Sequence, residues 1–321
     1  MKSEQMMALV EEFGVSLPKD EEVLLTDREI ANKLLPKRKR NSHKGSYGRA
    51  AIVAGSEEYT GAAYLAAAAC LRSGAGYTML FTPKDILPLY ALKSPEILLK
   101  PSNKGGRYAF NEETMRELLA YDSIAYGMGM GASNEVFKGV KYLLESYKGK
   151  LVLDADGLNS LAAFAGEEFD ALFSNKKCDV IVTPHGKEFS RLSKMSIEEV
   201  LGDSVKAAKN FAKRYNINVL LKNALSVITD GERVALNATG NSGQAKGGSG
   251  DVLSGVIAGL CASGLSTFEG GVLGAYLVGK SAKLGAVDFG EYSLTASELI
   301  AYLPKAFLFV AKDTHKDGGE Q

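Results

Sequence analysis

Short apolar runs alternate with stretches of helical period through most of the chain. Ala50–Ala54, Tyr77–Phe81, Ser123–Tyr126, Leu151–Leu153, Asp179–Val182 and Val219–Leu221 each read as a buried strand. An alanine-rich helix from Gly61 and a helix over Asn134–Tyr147 lie between them. Leu225–Ile228 and Arg233–Leu236 flank Thr229-Asp230-Gly231-Glu232, a hairpin signal. After Gly250 the pattern is helical almost to the end, with breaks near Gly264 and Gly290. This rhythm predicts an α/β fold in which helices cover both faces of a mainly parallel sheet. Ligands of such sheets bind at the carboxyl ends of the strands. Gly55-Ser56, Gly127–Gly131, Asp154–Asp156, Thr183–His185 and Lys222 all fall at such ends, so they are expected to share one site. Residues 1–25 read as a helical N-terminal extension, 26–312 as the domain, and 313–321 as a polar tail.

Composition narrows the classes. The chain has 321 residues, 45% hydrophobic and 24% charged, enough for one large α/β domain or two smaller ones. No linker or internal repeat divides it. Formal net charge is zero, so no global field recruits nucleic acid or an acidic membrane, and neither is expected as a partner. The basic cluster Lys37–Arg40 reads as a solvated loop or a rim for an anionic substrate. Cys70, Cys178 and Cys261 are widely spaced in apolar or helical contexts and read as buried free thiols. The scattered histidines form no metal-ligand pattern. No signal peptide or membrane span is evident, and a cytoplasmic location is expected.

The candidate chemistry centres on Asn237–Asp251, a glycine-studded loop ending where the apolar run Val252–Ile257 begins. Such a backbone can turn N–H groups around an anion, and a helix starting at Gly250 adds the positive end of its dipole. A carboxylate beside a phosphate cradle makes chemical sense as a base for a hydroxyl about to receive phosphate. Helix capping by Ser249 and Asp251 is the plainer alternative, but it needs one such residue and no glycine run. Two nucleotide motifs mislead. Gly274–Ser281 matches the Walker A letters, yet its apolar spacer continues a helical period. Gly127–Gly131 lacks the dinucleotide spacing and reads as a tight loop lining the site. His185 reads as a ligand contact, a general acid or a helix cap. Lys222 reads as a phosphate contact or a carboxylate partner. Asp154 and Asp156 suit a hydrated Mg²⁺ or loop orientation, and Asn159 suits a helix cap.

Together these stretches resemble one family, the ADP/ATP-dependent NAD(P)H-hydrate dehydratases, a carbohydrate-kinase-like branch of the ribokinase-like fold. The resemblance rests on Ser42–Arg49, Ala54–Ser56 with Tyr59–Ala62, Leu153–Asn159, Thr183–His185 with Glu188, Lys222–Ser226 and Asn237–Asp251, and covers residues 26–310. It implies a ribokinase-like three-layer α/β/α sandwich and a repair reaction. Hydrated NADH or NADPH (NADHX, NADPHX) of S configuration is phosphorylated on its ring hydroxyl, and phosphate then leaves. ADP is the implied donor, or ATP as in eukaryotic relatives, with Mg²⁺. Asp251 is then the base. Gly247, Gly248, Ser249 and Gly250 stabilise the transferring group. Ala62, Gly129 and His185, with Asp251, contact the hydrated dinucleotide. Lys222, Asn223, Ala224, Leu225 and Ser226, with Gly250, hold the adenosine phosphate. Asp154, Asn159 and Glu188 serve a water-bridged Mg²⁺ or orient loops, and no protein group is assigned as a direct metal ligand. A homo-oligomer, a tetramer by family, is implied. The chain is too short for the N-terminal epimerase domain that many relatives carry, which points to a stand-alone dehydratase.

Three local departures matter. Lys222-Asn-Ala-Leu-Ser226 stands where the family usually has Lys-Gly-x-x-Thr, and Asn223 is expected to supply the left-handed turn. Gly186-Lys187 replaces Pro-Gly, and Gly127-Met-Gly129 replaces Gly-Pro-Gly. A kinase of a small heterocyclic alcohol, of the thiamine-precursor or vitamin B6 type, shares the glycine loop and acid. A non-catalytic nucleotide-binding regulator would also carry the loop but would not need Asp251.

Overall fold

A computed structural model describes residues 2–13, 15, 17 and 23–311. The expected tail over 313–321 lies outside them. Among the described residues ten strands form one sheet: β1 (Val23–Leu25), β2 (Arg49–Val53), β3 (Tyr77–Thr82), β4 (Leu98–Pro101), β5 (Ser123–Tyr126), β6 (Lys150–Leu153), β7 (Asp179–Val182), β8 (Asn218–Leu221), β9 (Ser226–Thr229) and β10 (Val234–Asn237), in the order β1-β10-β9-β8-β7-β6-β5-β2-β3-β4. Strand β9 is antiparallel to both its neighbours, and the other pairings are parallel. Side chains alternate across the sheet, as strand geometry requires. Ala50 and Ile52 of β2 join one core, Ala51 and Val53 the other.

The helices are α1 (Lys2–Phe13), α2 (Arg28–Leu34), α3 (Thr60–Arg72), α4 (Leu87–Ala91), α5 (Glu112–Leu118), α6 (Asn134–Ser146), α7 (Ala155–Phe164), α8 (Phe169–Ser174), α9 (Gly186–Ser193), α10 (Ile197–Gly202), α11 (Ser204–Tyr215), α12 (Ser249–Ala262), α13 (Thr267–Ser293) and α14 (Ala296–Ala311). Helices α3, α12, α13 and α14 share a core with one sheet face, and α6, α7, α9 and α11 with the other. This is the expected three-layer arrangement. The Walker-like letters Gly274–Ser281 lie inside α13, as their period predicts. All three cysteines are buried and free. No helix among the described residues is long and apolar enough to cross a membrane.

The helical reading of residues 1–25 needs correcting. It holds for Lys2–Phe13, but Val23–Leu25 pair in parallel with Val234–Leu236 at the sheet's edge. Three residues show no period, and their partner lies far along the chain. Within the basic cluster, Arg38 is held by its own neighbours. Arg38 stacks on Tyr47 at 4.1 Å and donates to the Gly74 carbonyl. Gly48, next to that tyrosine, packs against Ala262, the last residue of α12. Asp251 is near the other end of that helix, about 16 Å away at 1.5 Å per residue.

Candidate active site

Helix α12 is drawn against α3 by small residues. A Cβ on Gly255 would stand 2.0 Å from the Ala66 carbonyl oxygen, so a larger residue there would push the helices apart. The contact fixes where the N-terminus of α12 points. Its cap is Gly248 at φ 96, a conformation that favours glycine, and no side chain caps the helix among the described residues. The capping alternative for Ser249 and Asp251 therefore fails. Ser249 Oγ is buried without a hydrogen-bond partner among the described residues. First-turn N–H groups, the helix dipole and an unused hydroxyl form a site that suits phosphate, although Ser249 N–H itself donates to the Lys246 carbonyl at 3.4 Å. The loop before it is tied down. Asn241 Nδ2 donates to the Ala282 carbonyl at 3.1 Å, and Lys246 Nζ donates to the carbonyls of Tyr292 at 2.5 Å and Leu294 at 2.7 Å.

Beneath the helix start sits Lys222. A Cβ on Gly250 would be 3.3 Å from Lys222 Nζ, so the ammonium lies directly under the phosphate cradle. Its partners are carboxylates: Asp154 at 2.9 Å and Glu188 at 3.9 Å. Burial works to lower the Lys222 ammonium, but Asp154 and Glu188 outweigh it and hold it above the usual lysine range. Asp154 is 1% exposed and also accepts from Ser254 Oγ at 2.7 Å. Burial, then the Asp154 charge, pushes the Asp251 carboxyl up to about 7, against the pull of Lys222. A carboxylate with that value is matched to proton abstraction near neutral pH.

The loops after β7 and β8 meet here: Lys222 N–H donates to the Pro184 carbonyl at 2.9 Å. His185 is the cap of α9. Its Nδ1 accepts from Glu188 N–H at 3.3 Å, and Glu188 Oε2 accepts from His185 N–H at 2.9 Å. Capping still leaves the ring half exposed, with Nδ1 engaged by the backbone and Nε2 3.5 Å from Glu188 Oε1. Across the site, the strand order reverses between β2 and β5, the topological switch point. Gly55 N–H donates to the Met128 carbonyl at 2.8 Å, which brings the two loops side by side. A Cβ on Gly129 would meet Ala62 Cβ at 2.7 Å, so these two expected substrate contacts do adjoin.

Other expectations change. Asn159 lies inside α7 and accepts from Arg191 at 2.9 Å, so it does not cap a helix. Asn223 does not adopt a left-handed backbone; Asn223 Oδ1 accepts from Ala224 N–H at 2.9 Å, and Ser226 Oγ donates to the Asn223 carbonyl at 3.0 Å. Side-chain bonds thus shape this turn. Ser254 was not legible as a site residue. The available signal was a polar residue within the apolar run after Asp251, one helical turn on.

The sequence profile of the NAD(P)H-hydrate dehydratases matches residues 50–305. The chain belongs to this family. It is 37% identical over 284 residues to a bifunctional NAD(P)H-hydrate repair enzyme of Thermofilum pendens, covering 87% of this chain and 53% of the relative. A relative of the same description from Vibrio cholerae is 35% identical over 277 residues, 86% of this chain and 53% of its own length. The chain thus spans about half the length of the curated relatives it matches. Among solved structures, the ADP/ATP-dependent NAD(P)H-hydrate dehydratase of Bacillus subtilis, co-crystallised with ATP and Mg²⁺, superposes with a TM-score of 0.77 at 30% identity, covering 90% of this chain and 99% of that one. In this family member, the uncapped helix and the partnerless Ser249 hydroxyl fit the phosphates of a nucleotide. Among the described residues no cluster of three or more His, Cys, Asp or Glu side chains could hold a metal ion. Asp154 is already engaged by Lys222 and Ser254.

Proposed function

We propose that this chain dehydrates (S)-NAD(P)H hydrate to NAD(P)H, using ADP or ATP as phosphate donor. The observation that carries this is Asp251, with its carboxyl near 7, at the mouth of an uncapped glycine-bounded helix. The substrate's ring hydroxyl gives its proton to Asp251 as its oxygen bonds to the terminal phosphorus of the donor. The bond from that phosphorus to the nucleotide breaks, and ADP leaves as AMP. The carbon–oxygen bond then breaks with its electron pair on phosphate, helped by the ring nitrogen lone pair. A proton leaves the adjacent ring carbon and the dihydropyridine is restored. Hydroxide is a poor leaving group and phosphate a good one, which is the reason for spending a nucleotide. Gly247, Gly248, Ser249 and Gly250 stabilise the transferring group. Lys222 and the Asn223–Ser226 turn hold the nucleotide, and Ala62, Gly129 and His185 hold the dinucleotide. Bound with the nucleotide phosphates, Mg²⁺ would supply charge neutralisation there. Asp154 and Glu188 orient Lys222, and Asn159 orients α7 against α9. The enzyme works in the cytoplasm as a homo-oligomer, with residues 26–312 as its catalytic domain and β1 completing the sheet edge.

Absorbance at 340 nm with purified protein, S-NADHX or S-NADPHX, Mg²⁺ and either ADP or ATP tests this reading. Recovery of the dihydronicotinamide band with one nucleotide is expected. No recovery with either, from folded protein that binds nucleotide, would transfer the assignment to a small-alcohol kinase.

A further inference from the structure

Asp154 occupies the N-cap of α7, where an aspartate ordinarily accepts a first-turn N–H, yet it makes no such bond. The following residue, Ala155, is held at φ 47, an uncommon conformation for a residue with a Cβ. The corner is pinned around it: Asp156 N–H donates to the Gly127 carbonyl at 3.2 Å, and Gly131 N–H donates to Asp156 Oδ2 at 2.8 Å. Two local preferences are overridden, and the result is a carboxylate turned into the protein interior. There it takes Lys222 Nζ on one oxygen at 2.9 Å and Ser254 Oγ on the other at 2.7 Å. Ser254 is one turn beyond Asp251 on α12, so the bond also fastens that helix to the end of β6.

The charged groups around Asp251 are Asp154 and Asp156 from the β6–α7 corner, Lys222 from the end of β8 and Glu188 from α9. The single cation among these four is paired within hydrogen-bond distance to Asp154. We propose that Asp154 is a positioning residue for Asp251: it takes the Lys222 ammonium into its own ion pair and stands behind the helix as a second carboxylate, so that Asp251 remains a working proton acceptor. An ammonium paired directly with Asp251 would stabilise its charge and make it a poor base. The inference rests on reading Asp251 as the base.

The test is Asp154→Asn, read as the pH profile of kcat/KM. Activity needs ionised Asp251, so it falls below the Asp251 pKa. Removing the neighbouring charge should move this acid limb down by about one pH unit, with plateau kcat falling roughly three- to tenfold and nucleotide KM changing less. A folded variant whose kcat drops with its limb unmoved would show a merely structural role and overturn the proposal. If Asp154→Asn does not fold, Lys222→Gln decides. Losing the cation should move the limb up, and a limb unmoved or lowered overturns the proposal. A substrate-free readout separates this failure from failure of the proposed reaction. Asp251→Asn should raise thermal stability as pH climbs toward 7, and in an Asp154→Asn background the gain should level off at lower pH and be smaller. That result without turnover would remove the reaction but keep the tuning.

Discussion

Asp251→Asn should make the protein more stable while abolishing its proposed activity. The Asp251 carboxyl stands at about 7 against an ordinary value of 3.8, with burial the leading cause and Asp154 the second. Its folded value is raised, so its contribution to stability is fully present below about pH 4 and is lost as pH rises through about 7. The difference of about 3 pH units corresponds to roughly 4 kcal/mol at full ionisation, at 1.36 kcal/mol per unit. Asp251 is half-buried, so water and local relaxation reduce this to roughly 2–4 kcal/mol. Asparagine has nearly the same shape and no charge to desolvate. At about 2.1 cal/mol/K of unfolding entropy per residue, the gain is roughly 3–6 °C in Tm above about pH 8. It should shrink steadily toward pH 5. Scanning calorimetry of both proteins over that range checks it. A difference that does not change with pH, or an asparagine variant that melts lower at pH 8, would refute the electrostatic reasoning.

Lys222→Ala should raise the nucleotide KM, and it should cost about 3 kcal/mol of stability because Asp154 would be left buried without its cation; nucleotide titration and urea unfolding check the two effects separately. Gly248→Ala places a Cβ at φ 96 and 2.6 Å from Leu65 Cδ1, so it should cost about 1–3 kcal/mol and weaken nucleotide binding, read by calorimetric titration. Gly255→Ala should force α12 off α3 against a 2.0 Å approach to the Ala66 carbonyl, costing about 1–3 kcal/mol in urea unfolding. His185→Ala removes the α9 cap and should cost about 1 kcal/mol while raising the dinucleotide KM, measured by steady-state kinetics.

The buried strands were legible because parallel sheets covered on both faces need short continuous apolar runs, and the glycine loop was legible because phosphate binding needs bare backbone. Both end strands escaped. Val23–Leu25 is too short to show a period, and Leu98–Pro101 ends in a proline, a residue that argues against a central strand and suits an edge. The residue types at the site were readable, but their pairings were not. Lys222 and Asp154 are 68 positions apart, and Ser254 and Asp154 are 100 apart. The register of β6 beside β7 and the bridge of His185 to Lys222 bring Lys222 to Asp154, and the seating of α12 brings Ser254. Asn159 misled because Asn is a good cap wherever a helix starts, and the start of α7 was set four residues earlier by the corner at Asp154. Asn223 misled for a related reason. Its side chain can shape a turn by hydrogen bonding as well as by tolerating a left-handed backbone, and the sequence does not say which.

The fate of the hydroxyl oxygen tests the account most directly. S-NADHX carrying ¹⁸O in its ring hydroxyl is turned over with unlabelled ADP and Mg²⁺, and the released phosphate and water are analysed by mass spectrometry. Phosphorylation at the hydroxyl activated by Asp251 predicts that the label leaves in inorganic phosphate, with one AMP formed per dihydronicotinamide restored. Label in water, with phosphate unlabelled, would mean that hydroxide departs directly and that the phosphate cradle beside Asp251 has another purpose.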